Sequence, residues 1–86
     1  MKNYKFIISG KVQGVYYRVT VKNNALKYKG YVKNLSDGNV EAGITCDEKQ
    51  LKDFIKILNN GSKESSVANI QQFEISEVFT NNFEVR

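Results

Sequence analysis

A β-strand, a glycine-punctuated loop and the start of a helix follow one another in Ile8-Ser9-Gly10-Lys11-Val12-Gln13-Gly14-Val15-Tyr16-Tyr17-Arg18. The aromatic and β-branched run Tyr4–Ile8 leads into this passage and predicts a strand over about residues 4–11. A helix is predicted to begin near Arg18. The passage therefore sets the first strand–loop–helix unit, around which the rest of the chain must be arranged.

The same passage has the composition of an anion-binding loop. Backbone N–H groups at the start of a helix have no partner within the helix and lie at the positive end of its dipole. Gly10 and Gly14 let the backbone approach a ligand closely, because glycine has no Cβ. The guanidinium of Arg18 can bind two phosphate or carboxylate oxygens at once. An oxyanion site is predicted here; a glycine-rich turn with a solvated arginine is the alternative for this segment taken alone.

The rest of the chain predicts one more helix and four more strands. The first helix is expected from about 18 to 28, with Val21, Ala25 and Tyr28 on one face. The Asp-Gly pair in Ser36–Asn39 predicts a hairpin turn. The other predicted elements are a strand at Tyr31–Leu35, a strand from Val40 to about Cys46, a helix capped by Asp47 with Gln50 and stopped at Asn59-Asn60-Gly61, a strand within Val67–Val78 and a last strand at Phe83–Arg86.

This order, β-α-β-β-α-β with a short terminal strand, predicts the α+β class and a ferredoxin-like split β-α-β sandwich. We expect an antiparallel sheet in the order 4-1-3-2, with the fifth strand at an edge and both helices on one face. The second helix should bury the stripe formed by Leu51, Phe54, Ile55 and Leu58. The 86 residues are expected to form a single domain, 1–86. This fold hosts enzymes, RNA binders and metal carriers, so it does not specify a function.

The composition excludes several classes of catalysis. The chain contains no histidine, which removes Ser-His and Cys-His nucleophiles, imidazole general bases and most zinc or iron sites. No carboxylate cluster has the spacing of a calcium or magnesium site, and no P-loop motif is present. We therefore expect no metal and no cofactor. Any reaction must need little proton transfer from protein groups.

Charge and hydropathy indicate the class of partner. The net charge of +4 favours anions, but the lysines are scattered rather than clustered, so no nucleic-acid partner is expected. No apolar run approaches the ~20 residues of a membrane span, and no signal-peptide pattern is present. The single cysteine, Cys46, follows an apolar run and is expected to be buried. A cytoplasmic monomer without a membrane partner is the expectation.

Two motifs resemble those of the acylphosphatases, small enzymes that hydrolyse carboxyl-phosphate anhydrides. The first is Gly10-Lys11-Val12-Gln13-Gly14-Val15-Tyr16-Tyr17-Arg18, similar to G-x-V-Q-G-V-x-F-R. The second is Gly30-Tyr31-Val32-Lys33-Asn34-Leu35-Ser36-Asp37-Gly38-Asn39-Val40-Glu41, similar to G-[WYF]-V-[KR]-N-x-x-D-G-x-V-E. The resemblance extends over the whole chain.

By this resemblance, Asn34 orients the attacking water, and Arg18 with the loop amides from about Val15 to Arg18 binds the phosphate. The implied phosphate loop consists of Gln13, Gly14, Val15, Tyr16, Tyr17 and Arg18.

The chain departs from the family pattern in several places. Tyr17 stands where phenylalanine is usual, and Cys46 stands where glycine is common. The segment between Ala25 and Gly30 is shorter than usual, and the loop after Gly61 lacks the usual proline. None of these departures falls on the arginine or the asparagine with implied roles.

The resemblance implies a metal-free hydrolase that converts small-molecule acyl phosphates to a carboxylate and inorganic phosphate, which would also act as product inhibitor. Such a substrate suits a protein without histidine. Its leaving group is a carboxylate of low pKa, which needs no general acid. Phosphoryl transfer needs mainly positioning and stabilisation of charge on the phosphate oxygens.

Two alternatives from other classes stay open. Lys29-Gly30-Tyr31 matches the opening of the RNP1 pattern of RNA-binding domains. The following Val32-Lys33-Asn34 lacks the next small residue and the second aromatic of that pattern. The other alternative is a non-catalytic domain that binds phosphate or acyl phosphate, or a domain that acts within a larger carbamoyl-transfer protein.

Overall fold

The computed structural model describes residues 1–86 and contains one five-stranded sheet and two helices. The strands are β1 (Lys2–Lys11), β2 (Lys29–Asn34), β3 (Val40–Cys46), β4 (Ser66–Ile75) and β5 (Glu84–Val85), and the helices are α1 (Tyr17–Asn24) and α2 (Glu48–Asn60). The sheet order is β4-β1-β3-β2-β5. The predicted order, with the fifth strand at an edge, is confirmed.

The four longer strands pair antiparallel, as predicted, but β5 pairs parallel to β2, with Tyr31 opposite Glu84. The sheet is therefore mixed rather than wholly antiparallel. The reason is the direction of β4, which runs antiparallel to β1 and so opposite to β2. Residues 76–83 cross to the far edge of the sheet and reverse the chain, so β5 runs in the same direction as β2.

The core lies between the helices and one face of the sheet. In β1, Tyr4, Phe6 and Ile8 are buried while their neighbours are at least partly exposed, which is the period-two pattern of a strand with one covered face. These residues pack in one cluster with Phe54 of α2 and Val21 of α1. The rings of Phe6 and Phe54 lie 5.5 Å apart between centroids. Both helices therefore cover the same face, as predicted.

Helix α1 is shorter than the sequence pattern predicts. It ends at Asn24, and Ala25 forms its C-cap, whereas the pattern placed its end near Tyr28. Asn is a weak helix former, and the short connection leaves no room for another turn before β2 begins. Tyr28 is nevertheless buried, because a turn in which its N–H bonds to the Ala25 carbonyl (3.0 Å) directs it inward. The predicted end of the helix was therefore wrong.

Helix α2 has the predicted N-terminal capping box. The Asp47 carboxylate accepts from the Gln50 N–H (2.8 Å), and the Gln50 side chain accepts from the Asp47 N–H (3.0 Å). Phe54 and Leu58 are fully buried, and Leu51 and Ile55 are half-buried against the same cluster. Neither helix in the protein is long and apolar enough to span a membrane.

Strand β1 has a bulge near its end and stays paired with β4 as far as Lys11, where the loop to α1 begins. The register with β4 shifts between Ser9 and Gly10. Gly10 has φ +123°, and a Cβ at this position would lie 2.2 Å from the Ser66 carbonyl oxygen. Only glycine fits there.

Cys46 is fully buried at the end of β3, as predicted. Burial is the main cause that raises the pKa of its thiol to about 11. The thiol therefore stays protonated at neutral pH and acts as a small packing group.

Candidate active site

A short loop between β1 and α1 lines an open cleft of about 350 Å³. The cleft is bounded by Val12, Gly14, Tyr16, Tyr17, Arg18 and Val19. These residues belong to, or lie directly beside, the loop that the sequence predicts as an oxyanion site. The cleft therefore coincides with the first motif.

The loop backbone adopts left-handed conformations at two places. Gly14 has φ +72°, and Tyr16 has φ +62° and ψ +18°. Such a conformation in an aromatic residue costs on the order of 1 kcal/mol or more and is found mainly where function requires it. Tyr16 is the N-cap of α1, and no side chain caps this helix. The N–H groups of the first turn are thus left without a side-chain acceptor at the end of the helix that attracts anions.

Arg18 lies in the first turn of α1 and is half-buried. Its Nη1 makes one long contact, 3.5 Å, with the main-chain oxygen of Arg86. No Asp or Glu side chain lies within ion-pair distance of its guanidinium. The cationic side chain beside the cleft is therefore not neutralised by a carboxylate side chain of the protein, which leaves its donors available to an anion.

Asn34 is the last residue of β2 and lies opposite Val40 of β3. Its side chain is exposed and makes no hydrogen bond within the protein. A carboxamide has two N–H donors and one carbonyl acceptor. Asn34 can therefore hold a water molecule without giving up a contact of the folded protein.

Gln13 joins the loop to the hairpin that carries Asn34. Its Nε2 donates to the Leu35 carbonyl and to the Asn39 carbonyl, each at 2.8 Å. These acceptors flank the turn between β2 and β3, and Leu35 directly follows Asn34. The structure thus brings the two sequence motifs together at one end of the sheet. The contact also shows that the Gln13 amide nitrogen is turned towards the hairpin.

The opposite side of the loop is tied to the C-terminal end of α2. The Ser62 hydroxyl donates to the Val15 carbonyl, and the Tyr17 hydroxyl donates to the Leu58 carbonyl at 2.7 Å. Ser62 is the one polar residue among the buried residues of the chain. Nothing in its local sequence marks it as a support of Val15, which lies 47 positions away.

The Tyr17 hydroxyl is the sole protein partner of the Leu58 carbonyl, since α2 ends before another N–H can reach that oxygen. Burial raises the pKa of Tyr17, so the hydroxyl stays protonated and able to donate. We predict that Tyr17→Phe lowers the free energy of unfolding by about 1–2 kcal/mol, because a buried carbonyl loses its partner. The backbone conformation of the loop should be unchanged, because phenylalanine keeps the aromatic ring of Tyr17.

Urea unfolding followed by circular dichroism measures this change. Tyr4→Phe is the matched control, because the Tyr4 hydroxyl makes no hydrogen bond within the protein. Equal unfolding free energies for the two variants would show that the Tyr17 hydroxyl contributes nothing to stability.

The described chain contains no cluster of three or more His, Cys, Asp or Glu side chains able to hold a metal ion. An arginine and loop amides lie at the cleft, and the hairpin bonded to Gln13 carries Asn34. This set can bind the oxygens of a tetrahedral anion and place a water beside it.

Known proteins resemble this chain in sequence and in fold. The family model named Acylphosphatase matches residues 4–85. An acylphosphatase of Borrelia garinii subsp. bavariensis is 41% identical over 99% of this chain and 98% of its own length. An acylphosphatase of Methanocella arvoryzae is 40% identical over the full length of both chains.

A solved structure agrees with these relatives. The crystal structure of acylphosphatase from Bacillus subtilis superposes with a TM-score of 0.91 at 35% identity, over 100% of this chain and 99% of that one. Sequence profile, relatives and fold thus agree over nearly the whole length. The chain belongs to the acylphosphatase family.

Proposed function

We propose that this protein hydrolyses acyl phosphates at the Gln13–Arg18 loop, with the attacking water supplied from the end of β2. One observation carries the proposal: the Gln13 amide holds a loop with an available guanidinium against a hairpin with an available carboxamide. A small anion that must meet a water molecule fits this pair of groups. Family membership narrows the anion to the phosphate of an acyl phosphate.

Arg18 and the loop amides bind the phosphate in this proposal. A phosphate dianion placed at the first turn of α1 faces N–H groups that no side chain caps. The guanidinium can span two of its oxygens. Because charge on the equatorial oxygens must be stabilised in the transition state, these donors serve catalysis as well as binding.

Asn34 orients the water that attacks phosphorus. The carboxamide cannot act as a general base near neutral pH, but it can hydrogen-bond the water and fix its line of approach. The new bond joins the water oxygen to phosphorus, and the bond from phosphorus to the acyl oxygen breaks. The carboxylate leaves with the bonding electron pair. The water proton passes to a phosphate oxygen, so the products are a carboxylate and inorganic phosphate.

A small molecule is the proposed partner, and inorganic phosphate is the proposed product inhibitor. The RNA-binding alternative would need a free ring at Tyr31. That ring is buried, with the Phe79 ring 5.4 Å away and the Arg86 guanidinium 4.3 Å from its centroid. This packing supports a small-molecule substrate over RNA.

Phosphate release from benzoyl phosphate or acetyl phosphate tests the proposed function. We predict turnover in excess EDTA equal to turnover without it, because the residues assigned to the reaction include no metal-ligand set. A gel shift with single-stranded RNA should show no complex at the protein concentrations used in the turnover assay. Phosphate binding without turnover would favour the non-catalytic alternative. Loss of activity in EDTA with the fold intact would contradict the metal-free mechanism.

A further inference from the structure

The side chain of Gln13 has no N–H left for a ligand. Its two amide hydrogens are directed to two carbonyl oxygens, those of Leu35 and Asn39, each 2.8 Å from Nε2. Because both partners are acceptors, the nitrogen must face them, and the remaining atom, Oε1, is an acceptor. An acceptor offers no favourable bond to a phosphate dianion. Although the family resemblance places Gln13 in the phosphate loop, the geometry does not suit a direct phosphate contact by its side chain.

The same two carbonyls also close the hairpin turn. The Asn39 oxygen accepts from the Leu35 N–H (2.8 Å), and the Leu35 oxygen accepts from the Gly38 N–H (3.3 Å). Each carbonyl oxygen has two lone pairs, so it can accept from the Gln13 amide as well. The Gln13 amide thus occupies the mouth of the turn, directly beside the residue that follows Asn34.

No other hydrogen bond joins the loop to this hairpin. The remaining hydrogen bonds of residues 12–16 go to Ser62 and to Thr20 within α1. These hydrogen bonds therefore fix the loop on one side to Ser62, two residues beyond the end of α2, and on the other side to the hairpin through Gln13 alone. Without the Gln13 amide, the loop could keep its shape while its distance from Asn34 became less well defined.

We propose that Gln13 is a positioning residue, which acts by holding Asn34 in register with the phosphate loop. This inference rests on the proposed function, since it concerns the same site. Rate depends steeply on the alignment of the attacking water, whereas phosphate binding depends on the amides from Val15 to Arg18 and on the Arg18 guanidinium. The Gln13 side chain makes no hydrogen bond to these groups. Gln13 should therefore influence kcat through Asn34 and leave phosphate affinity to the loop.

The experiment uses Gln13→Met, which keeps the length of the side chain and removes both donors. Acyl phosphate turnover and inhibition by inorganic phosphate are measured in parallel. We expect kcat to fall by roughly 10-fold or more, with the phosphate inhibition constant changing by less than about twofold. The double variant Gln13→Met/Asn34→Ala should be no slower than Asn34→Ala alone. Gln13 is expected to act through Asn34, whose contribution is already absent in the single variant. Gln72→Met, on the exposed part of β4, is the control.

Several results would overturn the assignment. If the fold-loss of kcat in the double variant equals the product of the two single losses, Gln13 does not act through Asn34. A phosphate inhibition constant that rises as kcat falls would return Gln13 to direct phosphate binding. An unchanged kcat with lower unfolding free energy would leave only a structural role. If Gln13→Met does not fold, Gln13→Asn, whose amide is too short to reach both carbonyls, takes its place in the same cycle.

Hydrogen exchange separates this inference from the proposed function. The N–H of Leu35 and Gly38 should exchange faster in Gln13→Met than in the parent protein, even if the parent shows no acyl phosphate turnover. If the parent protein is inactive but exchange is faster in Gln13→Met, the proposed function is rejected and the link between Gln13 and the hairpin is kept. If the parent protein is active but exchange in Gln13→Met is unchanged, the link between Gln13 and the hairpin is rejected and the proposed function is kept.

Discussion

Replacing Arg18 by alanine is expected to lower kcat for acyl phosphate hydrolysis by roughly 10²–10³-fold, the scale for losing a transition-state oxyanion donor. The guanidinium has no carboxylate side chain to neutralise it and lies beside the loop amides at the start of α1. It would bind the dianion in the ground state as well as in the transition state, so KM should rise too. Inhibition by inorganic phosphate should weaken in the same variant.

Two further variants sharpen this prediction. Arg18→Lys should recover little activity, because an ammonium is a point charge and cannot span two oxygens. Lys22→Ala removes the same charge one turn further along α1 and should leave kcat and KM near their original values. Near-normal turnover in Arg18→Ala would remove Arg18 from the site. An equal loss of activity in Lys22→Ala would indicate that the reaction depends on the total positive charge of α1 rather than on Arg18 itself.

Replacing Asn34 by alanine is expected to lower kcat by roughly 10²-fold and to leave phosphate inhibition nearly unchanged. The Asn34 side chain makes no hydrogen bond within the protein, so its removal should cost little stability. The loop and Arg18 remain to bind phosphate. Steady-state kinetics with inorganic phosphate as competitor separate the two effects.

Asn34→Asp should be no faster than the alanine variant, because a carboxylate would repel the dianionic substrate. Asn24→Ala, at the exposed end of α1, is the matched control and should behave as the parent protein. A variant at position 34 that loses phosphate affinity in proportion to kcat would contradict the separation of roles. Unfolding of that variant would assign Asn34 to the structure of the hairpin.

Much of the fold follows from local sequence signals. The Asp47–Gln50 capping box, the Asp-Gly turn and the alternation of β1 predicted elements that the structure contains. These signals succeed because each depends on neighbours within a few positions. The predicted end of α1 was wrong. Tyr28 has the spacing of a residue on the same helical face as Val21 and Ala25, but it reaches the core from a turn after the helix.

The supports of the site could not be predicted in the same way. Gln13 and Ser62 act through backbone carbonyls that lie between 22 and 47 positions away in the chain. Every residue has a carbonyl, so such contacts leave no pattern in the sequence of either partner. The motifs predict which side chains belong to the site, and only the three-dimensional arrangement shows that the Gln13 amide faces the hairpin.

A crystal structure with bound inorganic phosphate tests the proposed site as a whole. We expect the phosphate within hydrogen-bond distance of the Arg18 guanidinium and of N–H groups between Val15 and Arg18, with a water held by the Asn34 carboxamide on the side facing phosphorus. Phosphate bound elsewhere on the surface, for example near Lys27 and Lys29, with the loop empty, would contradict the assignment of phosphate binding and water positioning to this cleft.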